Sequence, residues 1–392
     1  MAAMGNGRPL LMIPGPIEIS PAVQAAFSVP PPGHLAPRVI EAFGRSLGLM
    51  RKVWLAGADA QPFVVPGSGT TAMEMAVWNV VSPHDSVVVV KTGYFSDRME
   101  TMLARAGARV TAVGSEPGHA PTIEEVRSAV DAATPKALFA THVDTSTGVR
   151  VDPEPLARLA RERGILSVFD GVCATAGERF AMEAWGADVV FTASQKAIGL
   201  PPGLGLLVAT PRALEARDRR AATPPPMALD FAQWLPIMKA YEAGRPSYFA
   251  TPATNLILAL ETGLAEILAD GMEARFALHA RAARAMREAW RSLGLEEVPA
   301  RDELRANTLS ALWYPEGVGA ELLARIAARG VVVAGGLHAA IRDRYFRVGH
   351  MGYAATVPEM LRRTAEAVGE AVLEAGHPGR AISPEIWSRL LA

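Results

Sequence analysis

Between about residues 64 and 210 the sequence alternates short apolar, β-branched runs with stretches of helical periodicity, and few architectures accept that rhythm. The runs fall at 87–90, 110–113, 137–141, 166–170, 189–193 and 206–209. Continuous apolar segments of strand length suit strands covered on both faces, and helices between successive strands make them pair in parallel. The expected fold is α/β, a mainly parallel sheet with crossover helices on both sides. The intervening helices carry their own start signals. Thr122 with Glu125 makes a capping box, and Asp152 before Pro153 gives an N-cap followed by a first-turn proline.

A chain of 392 residues, 50% apolar, exceeds what one core accommodates, so two domains are expected. A break at Thr223-Pro224-Pro225-Pro226 and a loop over 244–252 precede a long helical stretch, 254–293, that contains Gly271. Beyond it, strands at 309–313, 331–334 and 345–348, a helix at 319–328 and a helix capped by Thr356 with Glu359 describe a compact α+β unit. The tail from Gly376 reads as loosely attached. The chain divides accordingly into an N-terminal arm (1–16), a large domain (17–268) and a small C-terminal domain (269–392).

Composition removes several function classes. With 39 basic and 40 acidic side chains, a net charge of −1 and no long single-sign run, the chain offers nucleic acid or an anionic membrane no electrostatic footprint. Cys173 is the single cysteine, which excludes an intrachain disulfide and a cysteine-based zinc site, and no metal centre is expected. Neither a secretory signal nor a window of ~20 apolar residues is found, so a cytoplasmic protein is the expectation.

Two polar residues stand at the ends of apolar runs. Asp170 closes Leu166-Ser167-Val168-Phe169-Asp170, and Lys196 follows Phe191-Thr192-Ala193-Ser194-Gln195. In a parallel sheet the carboxyl ends of the strands open onto the binding crevice. An amine and a carboxylate there are what pyridoxal 5′-phosphate (PLP) chemistry needs. The amine forms a Schiff base and, once released, moves a proton between the substrate Cα and the cofactor C4′; the carboxylate keeps the pyridine nitrogen protonated. Pro66-Gly67-Ser68-Gly69-Thr70-Thr71, leading into a helical pattern, offers close backbone approach, hydroxyls and helix-start N–H groups to a phosphate. Thr145, after the run at 137–141, brings a hydroxyl to the same mouth, while His142 reads as structural. Arg347 stands alone in Tyr345-Phe346-Arg347-Val348-Gly349 and needs an anion, either an internal carboxylate or the α-carboxylate of a substrate gripped bidentately. An NAD-dependent dehydrogenase is the rival reading, since Gly67-Ser68-Gly69-Thr70-Thr71-Ala72 matches the dinucleotide fingerprint. The next strand, however, ends at Lys91, where that site needs an acidic residue, and Lys196 would have no role.

These residues resemble the class V, fold-type-I PLP-dependent aminotransferases, and within them the alanine–glyoxylate and serine–pyruvate aminotransferases. The resemblance covers nearly the whole chain, through Pro14-Gly15-Pro16, Pro66-Gly67-Ser68-Gly69, Ser146-Thr147-Gly148-Val149, Ser194-Gln195-Lys196 and Arg347-Val348-Gly349. It implies a large domain with a mainly parallel sheet of the seven-stranded type and a smaller C-terminal α+β domain. It makes Lys196 the Schiff-base lysine and Asp170 the partner of the pyridine nitrogen. Thr145 would lie near the ring and Phe95 would stack on it, while Ser68, Gly69, Thr70 and Gln195 would hold the phosphate and Arg347 the substrate carboxylate. It also implies a homodimer with shared sites, in which Tyr248 and Thr251 reach the phosphate of the other subunit. Three departures stand out: Phe95 replaces the tryptophan of the animal enzymes, Thr70 replaces a histidine, and Val143-Asp144 replaces Gly-Glu. The implied reaction moves the amino group of alanine or serine to glyoxylate or another small 2-oxo acid by a ping-pong mechanism. Ureidoglycine–glyoxylate and pyridoxamine–pyruvate transamination are the alternatives. A cysteine desulfurase is disfavoured because Cys173, close after Asp170, belongs beneath the ring and not on a mobile loop.

Overall fold

The computed structural model describes residues 7–219 and 224–391, and its centre is a seven-stranded sheet. From one edge to the other the strands are Gln61–Pro66, Leu204–Ala209, Val189–Ala193, Leu166–Asp170, Ala137–Thr141, Ser86–Lys91 and Arg109–Gly114. All run in one direction except Leu204–Ala209, which is antiparallel to both neighbours. The cause is the short link from Ala193 to Leu204, which contains no helix; a parallel crossover needs about a dozen residues or more. Gln61–Pro66 had no counterpart among the expected strands. Its two prolines disguise it, and they are tolerated because the strand lies at the sheet edge.

The local start signals form as expected. Thr122 donates its N–H to Glu125 Oε2 at 2.7 Å, and Asp152 Oδ1 accepts the Glu154 N–H at 3.1 Å. The long stretch 254–293 is two helices, Thr254–Leu268 and Met272–Ser292, parted at Gly271, whose φ of +82° no helix accommodates. Thr356 does not cap the helix that follows it. That helix, Pro358–Glu374, opens on a proline and makes Val357 the N-cap; Thr356 Oγ1 instead donates to Tyr353 O at 2.7 Å, and Glu359 pairs with Arg362. The expected strand at 331–334 is two short ones. Val331–Val332 pairs in parallel with Leu10–Leu11 of the arm, whereas Ala334–Gly335 pairs antiparallel with Tyr345–Gly349.

Two large hydrophobic cores, with two smaller clusters beside them, result among the described residues. One joins residues between 23 and 276 around the large sheet, and the other joins Leu10 and Met12 to residues between 282 and 387. The helix Met272–Ser292 feeds both. The tail beyond Gly376 is not loose: Ile386 and Trp387 of its helix Glu385–Leu391 are buried in the second core. Of the proline break, Thr223 lies outside the described residues, as do residues 1–6 of the arm. No helix among the described residues is long and apolar enough to cross a membrane.

The sheet order explains where a site can form. From Ser86–Lys91 the chain moves outward to Arg109–Gly114, then returns to Ala137–Thr141 on the other side of Ser86–Lys91. The loops leaving Lys91 and Thr141 therefore part, and a crevice opens at the carboxyl ends of the strands.

The arm is held at this crevice by a close backbone approach. Gly349 donates its N–H to Met12 O at 2.7 Å, and a Cβ on Gly349 would collide with the backbone of Ile13 and Pro14. Gly349→Ala is expected to cost about 1–3 kcal/mol and to free the arm, read as a lower thermal midpoint and faster proteolysis before Ile17. An unchanged midpoint and cleavage pattern would deny the arm this anchor.

Candidate active site

Asp170 ends the strand Leu166–Asp170 and Lys196 lies just past the neighbouring strand Val189–Ala193, with only 2% and 8% of their surfaces exposed. One Asp170 oxygen accepts the Val172 N–H at 2.8 Å, and no other donor among the described residues reaches the carboxyl. Burial pushes its pKa up to about 7; the Val172 N–H, Lys196 and Arg98 resist this, while Asp144 adds to it. Burial pulls Lys196 below the usual lysine range, with Arg347 adding to the effect and Cys173 and Asp170 opposing it. Its Nζ donates to Pro14 O, and Gly15 has no room for a Cβ because the lysine side chain fills that space. The arm thus lies against a buried amine whose pKa is lowered, in the field of a carboxyl whose pKa is raised.

A helix start faces the same crevice. Gly69 opens the helix Gly69–Val80, and a Cβ on it would press Val172 Cγ2 at 2.8 Å, so the missing side chain lets the helix N-terminus sit against the loop after Asp170. First-turn N–H groups have no partner within their helix. Thr71 Oγ1 accepts the Ser68 N–H at 3.1 Å, and Thr70 Oγ1 accepts a hydrogen bond from Arg98 Nη1 at 2.7 Å. Gln195 has a buried side-chain oxygen, Oε1, with no hydrogen-bond partner. Phe95 lies in the first turn of the helix Tyr94–Arg105, whose start is held by Asp144: its carboxylate accepts the Phe95 N–H at 3.2 Å and the Ser96 N–H at 3.3 Å.

Arg347 arrives from the second core. It occupies the middle of Tyr345–Gly349, donating from Nε to Gly335 O at 2.9 Å and from Nη1 to Thr145 O at 3.1 Å. No carboxylate among the described residues pairs with it, so an internal salt bridge is not its role. Tyr345 Oη donates to Ser146 O and accepts the N–H groups of Leu337 and His338, tying this small sheet to the Thr145 loop.

The aminotransferase class-V family model matches residues 52–360. The chain belongs to the class-V aminotransferases. Alanine–glyoxylate aminotransferase 1 of Saccharomyces cerevisiae is 35% identical to it over 357 residues, 88% of this chain and 92% of that protein. L-aspartate–glyoxylate aminotransferase of Paracoccus denitrificans is 34% identical over 352 residues, covering 87% and 86% of the two chains. The crystal structure of the alanine–glyoxylate aminotransferase of Nostoc superposes with a TM-score of 0.87 at 30% identity, covering 95% of this chain and 97% of that one. Membership implies PLP as the cofactor. The dinucleotide alternative also fails on topology: a βαβ unit puts its strands side by side, yet four strands separate Gln61–Pro66 from Ser86–Lys91.

In this aminotransferase Asp170 and Gly69 meet at Val172, Thr70 and Phe95 both contact Arg98, and Arg347 is hydrogen-bonded to the Thr145 carbonyl, with Ser68 and Gln195 beside Gly69 and Lys196 in the chain. Tyr248 and Thr251 stand apart. Tyr248 is 62% exposed, its hydroxyl lies 3.4 Å from that of Thr251, and no hydrogen bond among the described residues joins either to the crevice. His142 is a neutral imidazole buried against Phe180, its pKa lowered to about 3 by burial and by Arg150. Sequence reasoning passed over Arg98, Pro14, Tyr345 and the capping role of Asp144. The Val143-Asp144 departure flagged the last, and Pro14-Gly15-Pro16 flagged the arm, but nothing local marks Arg98.

Asp170 permits a test with a definite sign. In the unfolded chain an aspartate ionises near 4 (~3.9), whereas in the folded cofactor-free protein Asp170 holds its proton to about 7. The folded state binds the extra proton between those values, so the stability of the neutral acid is complete below the lower one and lost as pH rises through the higher. Asp170→Asn should match the parent below about pH 4, gain on it progressively between about pH 4 and 7 by a few kcal/mol in all, and hold that lead without further change above 7, in thermal midpoints of cofactor-free protein. A pH-independent offset would show that the carboxyl is not titrating as a buried acid.

Proposed function

We propose that this aminotransferase uses PLP to move the amino group of alanine or serine to glyoxylate, or another small 2-oxo acid, in a ping-pong cycle. Arg347 carries the proposal: a half-buried guanidinium, without a carboxylate partner, within electrostatic reach of Lys196. Its Nη2 edge is left for a substrate α-carboxylate, which a planar fork binds in two parallel bonds. When bound, PLP supplies an aldehyde to receive the amino group and a protonated ring that draws electrons from the substrate Cα.

The residues present suit that group. Gln195 supports the fit, because its buried Oε1 position lacks a partner, and an amide turned so that its NH2 takes that position would face a phosphate oxygen. Ser68, Gly69 and Thr70 add hydroxyls and helix-start N–H groups. Asp170, with a single donor, has capacity left for a protonated ring nitrogen, whose charge would favour the ionised carboxylate. Phe95 would cover one face of the ring and Thr145 would approach its edge. Lys196 would hold the cofactor covalently and, when released, carry the proton between the substrate Cα and the cofactor C4′; its burial-lowered pKa suits both tasks. The relatives named for alanine–glyoxylate transfer support glyoxylate as acceptor. Aspartate is the second reading for the donor, favoured by the relative from Paracoccus denitrificans. We also propose a homodimer in which Tyr248 and Thr251 complete the partner's phosphate site; the exposure of Tyr248 (62%) and Leu35 (56%), with His34 packed 5.5 Å from the Tyr248 ring, supports such a face.

Lys196→Ala should lose the borohydride-fixed PLP label and essentially all turnover, and a label recovered on another lysine would end its assignment. Arg347→Lys keeps charge but loses the fork, so apparent KM should rise about tenfold or more for amino and oxo acids alike. Unchanged KM values would discard the carboxylate role, and a donor panel with glyoxylate in which aspartate far outpaces alanine and serine would replace the first donor reading with the second. For the dimer, Lys196→Ala subunits mixed with Tyr248→Phe/Thr251→Ala subunits should recover activity in one site of each heterodimer. Verified heterodimers without recovery would refute shared sites.

A further inference from the structure

We infer that Arg98 is a positioning residue for the cofactor phosphate, acting through the Thr70 hydroxyl; the inference rests on the PLP reading above. Arg98 sits in the second turn of the helix Tyr94–Arg105 and is half-buried, yet no carboxylate among the described residues pairs with it. Its Nη1 donates to Thr70 Oγ1 at 2.7 Å and its Nη2 to Tyr94 Oη at 3.0 Å. Its Cζ lies 5.0 Å from the Tyr94 ring centre and 5.3 Å from that of Phe95.

The bond to Thr70 fixes where that hydroxyl can point. A hydroxyl has one proton and two lone pairs. With the guanidinium on a lone pair, the Thr70 proton is directed away from Arg98 and is free for an anion at the helix start. Donation from a cation also polarises the hydroxyl and strengthens it as a donor. Thr70 stands where the resemblance has a histidine, so a threonine oriented by an arginine supplies from two helices what one imidazole would supply from one.

A purely structural tie between the helices Gly69–Val80 and Tyr94–Arg105 would make no distinction between phosphorylated and unphosphorylated ligands. Cofactor-stripped protein titrated with PLP and with pyridoxal, which lacks the phosphate, separates the two roles. Arg98→Met and Thr70→Ala should each weaken PLP about tenfold, leave pyridoxal nearly unchanged, and together weaken PLP no more than either alone. Should Arg98→Met fail to accumulate folded, Arg98→Lys carries the test, because a shorter side chain with a single nitrogen does not reproduce the planar two-nitrogen fork that holds both hydroxyls. Equal losses for PLP and pyridoxal, additive losses in the double variant, or wild-type PLP affinity in the Arg98 variants would each overturn the inference. A parent protein that binds neither ligand would instead overturn the cofactor reading itself.

Discussion

Two ionisable groups are buried where the strands of the large sheet end, and neither meets a full counter-charge within this chain. Taking a carboxylate or an ammonium out of water costs several kcal/mol unless it is paired or gives up its charge. For Asp170 and Lys196 burial displaces both pKa values toward the neutral form, with the Val172 N–H and Pro14 O as their close polar partners among the described residues. An amine that gives up its proton more easily and an acid with an open valence result from burial, and burial requires everything packed around them. A protonated ring nitrogen would give Asp170 the counter-charge it lacks, so the site's cost to the free protein is offset when its ligand arrives.

What holds the two groups fixed is the interlocking of the two cores. Arg347 and Lys196 come from different sheets, and their mutual position depends on the small sheet docking against the Thr145 loop through Tyr345 Oη and Arg347 Nη1. The helix Met272–Ser292 makes a second link. Arg275 donates to Ala176 O at 3.2 Å and to Ala197 O at 3.3 Å, next to Lys196, while His279 accepts the Gly352 N–H at 3.0 Å. Groups set by several such bonds keep the sub-ångström geometry that orientation effects in catalysis demand. Each bond also satisfies a backbone group that would otherwise be stranded in the interior.

The sequence carried much of this because part of the information is local. Apolar runs mark strands through the length and composition of the segment itself, and five of the seven strands of the large sheet were readable in that way in roughly their observed positions, with Leu204–Ala209 legible as a strand but not in its direction. Thr122 and Asp152 cap their helices across two or three residues, distances a motif can encode. Thr356 misled for a local reason too, since Pro358 shifts the cap by one residue. Asp170, Lys196 and Arg347 stood out because a charged residue in an apolar run requires explanation wherever it falls.

Composition and pattern alone therefore determined the layer architecture, the polar residues at the strand ends and the family likeness. They could not determine what those residues meet. The antiparallel course of Leu204–Ala209, the pairing of Leu10–Leu11 with Val331–Val332, the arm against Lys196, and the grip of Arg98 on Thr70 join segments distant in sequence. Such contacts depend on the path of the whole chain. A side chain's spacing to its neighbours carries no trace of them, because their free energy is gained only when both cores have closed and water has left the crevice between them.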